Sequence, residues 1–427
     1  MDNYIILSSL SYDQLNNTLY FHDNNIDGVF LKNNNQLYIS TKIIKDEILQ
    51  KYNLNPTKSE LNNDKKNTNF NGENDKNLYY SLINRTPVGL YNYDGVCYMN
   101  AALQCFYHCK PLTKFFLVDL EESKKATLGP ISKGYYKLIK GLGSGNRNAA
   151  NEFEVAMKEL DSIFIGTEGK DSQDVVKLLL SELDEEFLGK DDMNYDMDKN
   201  INRYDLKSVY KNFLSKNKEK TIIRDIFRFN IKSKKFCKNT CKTYKNEYYN
   251  IDSDFLMMFN LRKIYEDINK SSYSSTPEIS LEDCLTHFKK AEIINCAHCK
   301  TNTLQIVNSI CSLPKIFVFI LSRGYKNEFK CKINFKEDLD MKYYYDPIDI
   351  EKKNENTKYK LICATFAYDW SKKGTGHTVA FCKSYKQNKS CPNMPVYYLF
   401  NDRNSYQTTI KEIEGKIPYL LFYEKQE

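Results

Sequence analysis

The feature that most constrains this chain is a change of hydrophobic period about halfway along it. Between Leu90 and Phe187 the spacing is helical. Met99, Ala102, Leu103 and Phe106 fall on one helical face, and Val176, Leu179, Leu180, Leu183 and Phe187 repeat the pattern. After Thr221 the apolar residues gather instead in short runs: Ile222–Phe229, Phe255–Leu261, Ile316–Leu321, Tyr359–Phe366, Thr378–Phe381, Tyr397–Phe400 and Tyr419–Tyr423. Helices first and strands later predict an α+β protein with an antiparallel sheet. A chain of 427 residues is long enough for one large or two ordinary domains.

Two seams divide it. Residues 1–57 alternate short apolar runs with Asn-rich turns and read as a small β-rich unit of unassigned role. Residues 58–85 contain the almost wholly polar stretch Ser59–Lys76, which buries too little apolar surface to offset its ordering and reads as a linker. A second polar stretch, Lys190–Lys220, separates the helical block from the strand-like one.

Charge and cysteine usage exclude several classes. The net charge of +7 comes from basic residues interleaved with acids, so nucleic acid is not an expected partner. The longest apolar runs are too short to span a bilayer, and no membrane association is expected. The N-terminal Met-Asp-Asn-Tyr lacks the basic and apolar regions of a signal peptide. The expected setting is therefore cytoplasmic or nuclear, with a monomer as the simplest state and the 13 cysteines reduced. Reduced cysteines are candidates for chemistry or metal.

A thiol hydrolase also needs a base, and only five histidines are present. His22 lies in the Asn-rich region, His108 ends a helix, His287 sits in an amphipathic segment, and His298 lies within Cys296-Ala-His-Cys299. His377 follows Lys373-Gly-Thr-Gly and precedes an apolar run, as if a loop delivered an imidazole to the start of a strand. Cys97 follows a turn-forming Asn92-Tyr-Asp-Gly-Val and precedes the apolar-faced helix. There the helix dipole and unpaired N–H groups favour an anionic sulfur. Taken alone, a Cys at such a position is more often a core residue, whereas the glycines and strand context favour a functional role for His377.

The stretch Gly89-Leu-Tyr-Asn92-Tyr-Asp-Gly-Val-Cys97-Tyr-Met-Asn-Ala-Ala-Leu-Gln104 resembles the Cys box of the ubiquitin-specific proteases. Gly376-His-Thr-Val-Ala-Phe381, Tyr398-Leu-Phe-Asn401-Asp402, Pro418-Tyr-Leu-Leu-Phe-Tyr423 and Leu313–Arg323 resemble further motifs of that family, in order, over about Thr86 to Glu424. The resemblance implies a papain-like catalytic domain over residues 86–426, with a helical thumb (86–217), zinc-tipped β fingers (225–312) and an antiparallel palm (313–426). It implies a deubiquitinating cysteine protease that hydrolyses the bond after ubiquitin's terminal glycine through a thioester, without a catalytic cofactor. Ubiquitin and ubiquitinated proteins would be its partners.

By the same resemblance Cys97 is the nucleophile, His377 the base and Asn401 the group that orients the ring, with Asp402 supporting. Asn401-Asp402 is equally readable as a plain hairpin turn. Asn92 matches the oxyanion-hole side chain, although Asp94 stands where the family has glycine, Gly95 follows one place later and Val96 replaces Thr. That departure leaves a catalytically weakened ubiquitin-binding scaffold, or a protease for another ubiquitin-like modifier, as alternatives. Asp171 and Asp174 match a box that binds the ubiquitin tail's arginines, against the alternative of helix-capping acids. Cys237, Cys241, Cys296 and Cys299 match the four thiolates of a structural zinc site. Cys105, Cys109, Cys363 and Cys382 read as ordinary core or surface residues.

Overall fold

The change of period becomes a change of layer. In the computed structural model the described residues are 4–6, 29–32, 36–40, 75–93, 95–161, 164, 171–188, 201–238, 247–269, 277–324, 328–367, 377–388, 394–413 and 415–427. The chain divides into two compact units, Met1–Glu73 and Asn74–Glu427. In the first, strands β1 (Tyr4–Ile6), β2 (Val29–Lys32) and β3 (Gln36–Ser40) form an antiparallel sheet in the order β1-β3-β2.

The second unit begins with helices. Its chief ones are α1 (Asp75–Ser81), α2 (Cys97–Tyr107), α3 (Pro130–Gly143), α4 (Asn151–Leu160), α5 (Ser172–Leu188), α6 (Leu206–Lys216) and α7 (Ile222–Phe227). Then come β4 (Phe229–Cys237), β5 (Tyr248–Asp254), β6 (Met257–Asn260), α8 (Leu261–Ile268), β7 (Glu278–Ser280), α9 (Leu281–Lys289), β8 (Glu292–Asn295) and β9 (Asn302–Ser312). The last third supplies β10 (Ile316–Ser322), β11 (Lys332–Asn334), β12 (Asp338–Asp340), β13 (Lys358–Ala367), β14 (Thr378–Lys383), β15 (Tyr397–Asn401), β16 (Asn404–Thr408) and β17 (Pro418–Lys425).

The main sheet runs β16-β15-β14-β13-β17-β10-β6, with β12 on β13. It is covered on both faces, which is why its strands read as continuous apolar runs. Ile316, Val318 and Ile320 of β10 join the helical core with Met99, Phe106 and Leu179, while Phe317, Phe319 and Leu321 join a second core with Leu261 and Leu285. A bulge between Leu361 and Cys363 breaks this alternation, so that Ile362 and Cys363 both face the α2 side. A separate ribbon, β5-β4-β9-β8, carries Cys237 at the end of β4 and Cys296 and Cys299 between β8 and β9.

Three expectations are corrected. Ile222–Phe227 is helical, not a strand, because Thr221 caps it: its hydroxyl accepts the Arg224 N–H at 3.1 Å and bonds Asp184, which also accepts Arg224 Nε at 3.0 Å. The sheet is not wholly antiparallel, since β6 pairs with β10 in parallel. The expected linker ends earlier than residue 85: Asp75–Asn84 is helical and buries Leu78 and Leu82. Within the polar stretch before Lys220, Leu206–Lys216 is also a helix, capped by Asp205. Among the described residues no helix is long and apolar enough to cross a membrane.

Asp75 anchors the start of this unit. Its buried carboxylate accepts Lys125 at 2.6 Å, Lys140 at 2.9 Å and the Tyr136 hydroxyl at 2.5 Å. Burial pushes its pKa up, but those three bonds outweigh burial and hold it below the usual carboxylate range. We predict that Asp75→Ala lowers unfolding free energy by about 1–3 kcal/mol, because Lys140 and the Tyr136 hydroxyl lose their acceptor while Lys125 keeps Glu122. Because the folded pKa is depressed, Asp75's contribution is complete above its unfolded pKa and is lost as pH falls through the folded one. Urea melts of both proteins at neutral and acid pH measure this.

Candidate active site

Cys97 is the first residue of α2 and is half-buried, whereas every other residue of that helix is buried. The turn before it depends on Gly95, whose φ of +70° lies in the left-handed region. The glycine displaced by one place thus supplies the positive φ. Asp94 lies outside the described residues. Asn92 holds the turn from the side: its Oδ1 accepts the Val96 N–H at 2.8 Å and its Nδ2 donates to Asp402 Oδ2 at 3.0 Å.

His377 directly precedes β14, and Asn401 ends the neighbouring β15. His377 Nε2 lies 2.6 Å from Asn401 Oδ1. A carboxamide oxygen only accepts, so Nε2 carries the hydrogen, and Nδ1 is the nitrogen that bears the lone pair in the neutral ring. The ring also hydrogen-bonds the Cys97 thiol. That bond is the chief reason the His377 pKa is pushed up to about 9; burial opposes it, while Asn401 and the charges of Cys97 and Asp402 reinforce it. The structure therefore brings Cys97, His377 and Asn401 together from three elements, α2, β14 and β15.

Asp402 does something other than bond the ring. Its carboxylate stands 3.6 Å from Nε2 and is instead held by two amides, Asn92 at 3.0 Å and Asn100 Nδ2 at 3.1 Å. Asn100, buried on α2, also donates to the Tyr91 carbonyl at 3.1 Å. Asp402 has a φ of +46° in the two-residue turn between β15 and β16, and its carbonyl accepts the Leu90 N–H at 2.9 Å. A Cβ on Gly89 would sit 1.9 Å from that carbonyl oxygen, so only glycine fits there. Asn401-Asp402 does form a hairpin turn, and that turn also holds the Asn401 carboxamide oxygen against His377. Asn100 has no role in the sequence-based expectation. Its signal was present: a buried amide in an apolar helix must find partners.

Asp171 and Asp174 stand at the start of α5. Asp171 accepts the Gln173 N–H at 3.3 Å and Gln173 Nε2 at 3.0 Å, so it does cap the helix. Asp174 is only weakly paired, with Lys177 at 4.0 Å. Burial first, and the Asp171 charge next, push its pKa up. Both acids share electrostatic neighbours with Cys97: the Tyr419 phenol feels Asp171 and Cys97, and the Tyr98 phenol feels Asp174 and Cys97. Asp171 is engaged by the first turn of its own helix, while Asp174 is the acid of the two with the weaker partner.

At the ribbon tip Cys237, Cys296 and Cys299 gather their sulfurs within 4.8 Å of one another, in a small core of their own with Leu304. Cys237 and Cys299 sulfurs are 3.7 Å apart. Thiolates at about 2.3 Å around a tetrahedral zinc ion lie about 3.8 Å apart, so the three present fit the group. A turn with Lys300 at φ +57° folds Cys296 and Cys299 together. Cys241 lies outside the described residues. His298 is exposed and outside the thiol group.

The Cys97–His377 bond sets a measurable quantity. In Cys97→Ala the largest cause of the raised His377 pKa is removed, so its titration should fall from about 9 toward the ordinary value of about 6.5. Histidine-selective NMR across pH 5–10 (roughly the range over which both forms titrate) reads this directly. An unmoved titration means that the thiol does not engage the ring.

Comparison with known proteins gives this geometry a family. The model of the family described as "Ubiquitin carboxyl-terminal hydrolase" matches residues 88–423. Ubiquitin carboxyl-terminal hydrolase 2 of Bos taurus is 24% identical over 365 residues, covering 79% of this chain and 54% of that protein. The Homo sapiens protein of the same name gives the same figures: 24% over 365 residues, 79% and 54%. The chain thus spans about half the length of the curated relatives it matches. Among solved structures, the SAGA Ubp8/Sgf11/Sus1/Sgf73 DUB module bound to ubiquitin aldehyde has a similar fold, with a TM-score of 0.56 at 19% identity, covering 92% of this chain and 80% of that one. The α+β architecture of helical layer, sheet and cysteine-tipped ribbon is that fold. From its matched span and its fold, the chain belongs to the ubiquitin carboxyl-terminal hydrolase family.

Proposed function

We propose that this chain is a deubiquitinating cysteine protease that cleaves the isopeptide or peptide bond after ubiquitin's C-terminal glycine. The observation that carries the reading is the His377 ring, bonded on one side to Cys97 and on the other to Asn401. In this reading the thumb comprises residues 86–217, the fingers 225–312 and the palm 313–426.

Cys97 Sγ attacks the carbonyl carbon of the terminal glycine. The oxyanion that develops is met by N–H groups at the open start of α2 and by the second Nδ2 hydrogen of Asn92, whose first is held by Asp402. The His377 imidazolium then gives its proton to the departing lysine amine, leaving a thioester. The neutral ring takes a proton from water, which attacks the thioester and frees the ubiquitin carboxylate. Asn401 keeps Nε2–H occupied, so that Nδ1 performs both transfers. Asp171 and Asp174 receive the arginines of the Leu-Arg-Leu-Arg-Gly-Gly tail, in bidentate geometry. The similar SAGA module, bound to ubiquitin aldehyde, supports ubiquitin as partner. Cys237, Cys241, Cys296 and Cys299 would hold zinc, which cross-links the ribbon tip and takes no part in the reaction at Cys97.

Ubiquitin carrying a C-terminal electrophile tests the reading. A covalent adduct is expected with wild type and none with Cys97→Ala. His377→Ala should cost about 10²–10⁴ in rate and Asn92→Ala about 10²–10³. Asp171→Ala/Asp174→Ala should raise KM for ubiquitin while sparing a modifier whose tail lacks arginine. Bound ubiquitin without any adduct in wild type would instead identify a scaffold. For zinc, we expect about one equivalent per chain by elemental analysis, one tetrahedral four-thiolate site; its removal should melt the ribbon tip while Cys97 still labels.

A further inference from the structure

A second group of three thiols lies inside the core, away from the ribbon. Cys105 is on α2, two turns beyond Cys97; Cys363 and Cys382 face each other across β13 and β14. Their sulfurs all lie within 4.8 Å of one another, and each residue is 0% exposed. The bulge before Cys363 turns its side chain to the α2 side, where the alternation of β13 would otherwise have placed it on the opposite face. Among the described residues no carboxylate or imidazole joins the group. The Cys363 thiol donates to the backbone carbonyl of Cys105 at 3.6 Å.

We propose that Cys105, Cys363 and Cys382 form a three-thiol binding site for trivalent arsenic, taken up as arsenous acid and separate from the cysteines of the ribbon tip. Soft sulfur ligands select soft, thiophilic ions. The apolar surroundings choose among these by charge, because burying a net charge costs several kcal/mol. Three thiolates around a monovalent ion leave two negative charges, and around zinc they leave one negative charge and an unfilled tetrahedral position. Around trivalent arsenic the complex is neutral and complete with three sulfurs. Arsenous acid, As(OH)₃, exchanges each hydroxyl for one thiol: three As–O bonds break, three As–S bonds form, and each thiol proton leaves in one of three waters. Arsenic stays trivalent, and no electrons are transferred.

The product would clamp the helix that begins at Cys97 to the strand that follows His377. Cys97 itself stands outside both thiol groups, so it offers arsenic a single sulfur. Uptake at the buried group requires local opening of the core and should be slow beside alkylation of Cys97.

The test uses the full zinc-loaded chain, incubated with sodium arsenite and an excess of glutathione to strip single-thiol adducts, then desalted. One arsenic per chain is expected in wild type and in Cys97→Ala, with three sulfur neighbours by X-ray absorption and no zinc released. Cys363→Ala and Cys382→Ala, each checked for folding by circular dichroism, should retain none. Wild type that retains no arsenic overturns the proposal. So does arsenic bound with release of zinc, or arsenic kept by a folded Cys363→Ala. If both variants unfold, the sulfur count and zinc release in wild type decide between support and rejection on their own.

Discussion

One carboxylate ties the two halves of the cleft together. Asp402 belongs to a tight turn of the sheet, yet its oxygens are held by Asn92 from the turn before Cys97 and by Asn100 from within α2. Its carbonyl accepts a further N–H from Leu90. Three bonds from one residue thus fix the thiol's turn against the strand pair that carries His377 and Asn401. A hydrogen bond to a charged group contributes about 1.5–3 kcal/mol, and a stranded buried carboxylate costs more. The left-handed backbone of Asp402 is the strain this arrangement sustains.

Beneath that clamp, packing does the rest. One apolar core takes residues from α2, α3 and α5 and from the facing side chains of β10, β13, β14 and β17. The helical layer and the sheet are therefore parts of one core, not two bodies in contact. The ribbon is different. Its tip buries little beyond three cysteines and Leu304, too small an apolar cluster to hold strands together unaided. Order around Cys97 rests on apolar burial, of which the ribbon tip has little.

Much of this was legible from residue patterns. The runs Ile316–Leu321, Tyr359–Phe366 and Tyr419–Tyr423 became central strands because both faces of the sheet are covered, so the strands could be apolar throughout. The ribbon strands Phe229–Cys237 and Asn302–Ser312 were not legible in the same way, being half exposed and rich in Lys, Asn and Ser. Ile222–Phe227 misled because β-branched residues suggest strand, whereas a cap and a buried Asp184–Arg224 pair decide the local structure. At the site, Cys97, His377 and Asn401 stood out through motif and context. Asn100 and Gly89 did not, since their importance lies in atoms brought close by the hairpin turn some three hundred residues later. The grouping of Cys105 with Cys363 was equally hidden, because it requires a bulge that no pattern announces.

The burial of α2 has a kinetic consequence. Every residue of this helix after Cys97 is inside the protein, so its amides can exchange with solvent only when the shared core opens. The helix should therefore belong to the most slowly exchanging cooperative unit, while Cys97 sits half-buried at its start. The Cys97 sulfur is mounted on a helix buried throughout the rest of its length, and partial unfolding elsewhere, at the ribbon tip for instance, should leave its position untouched.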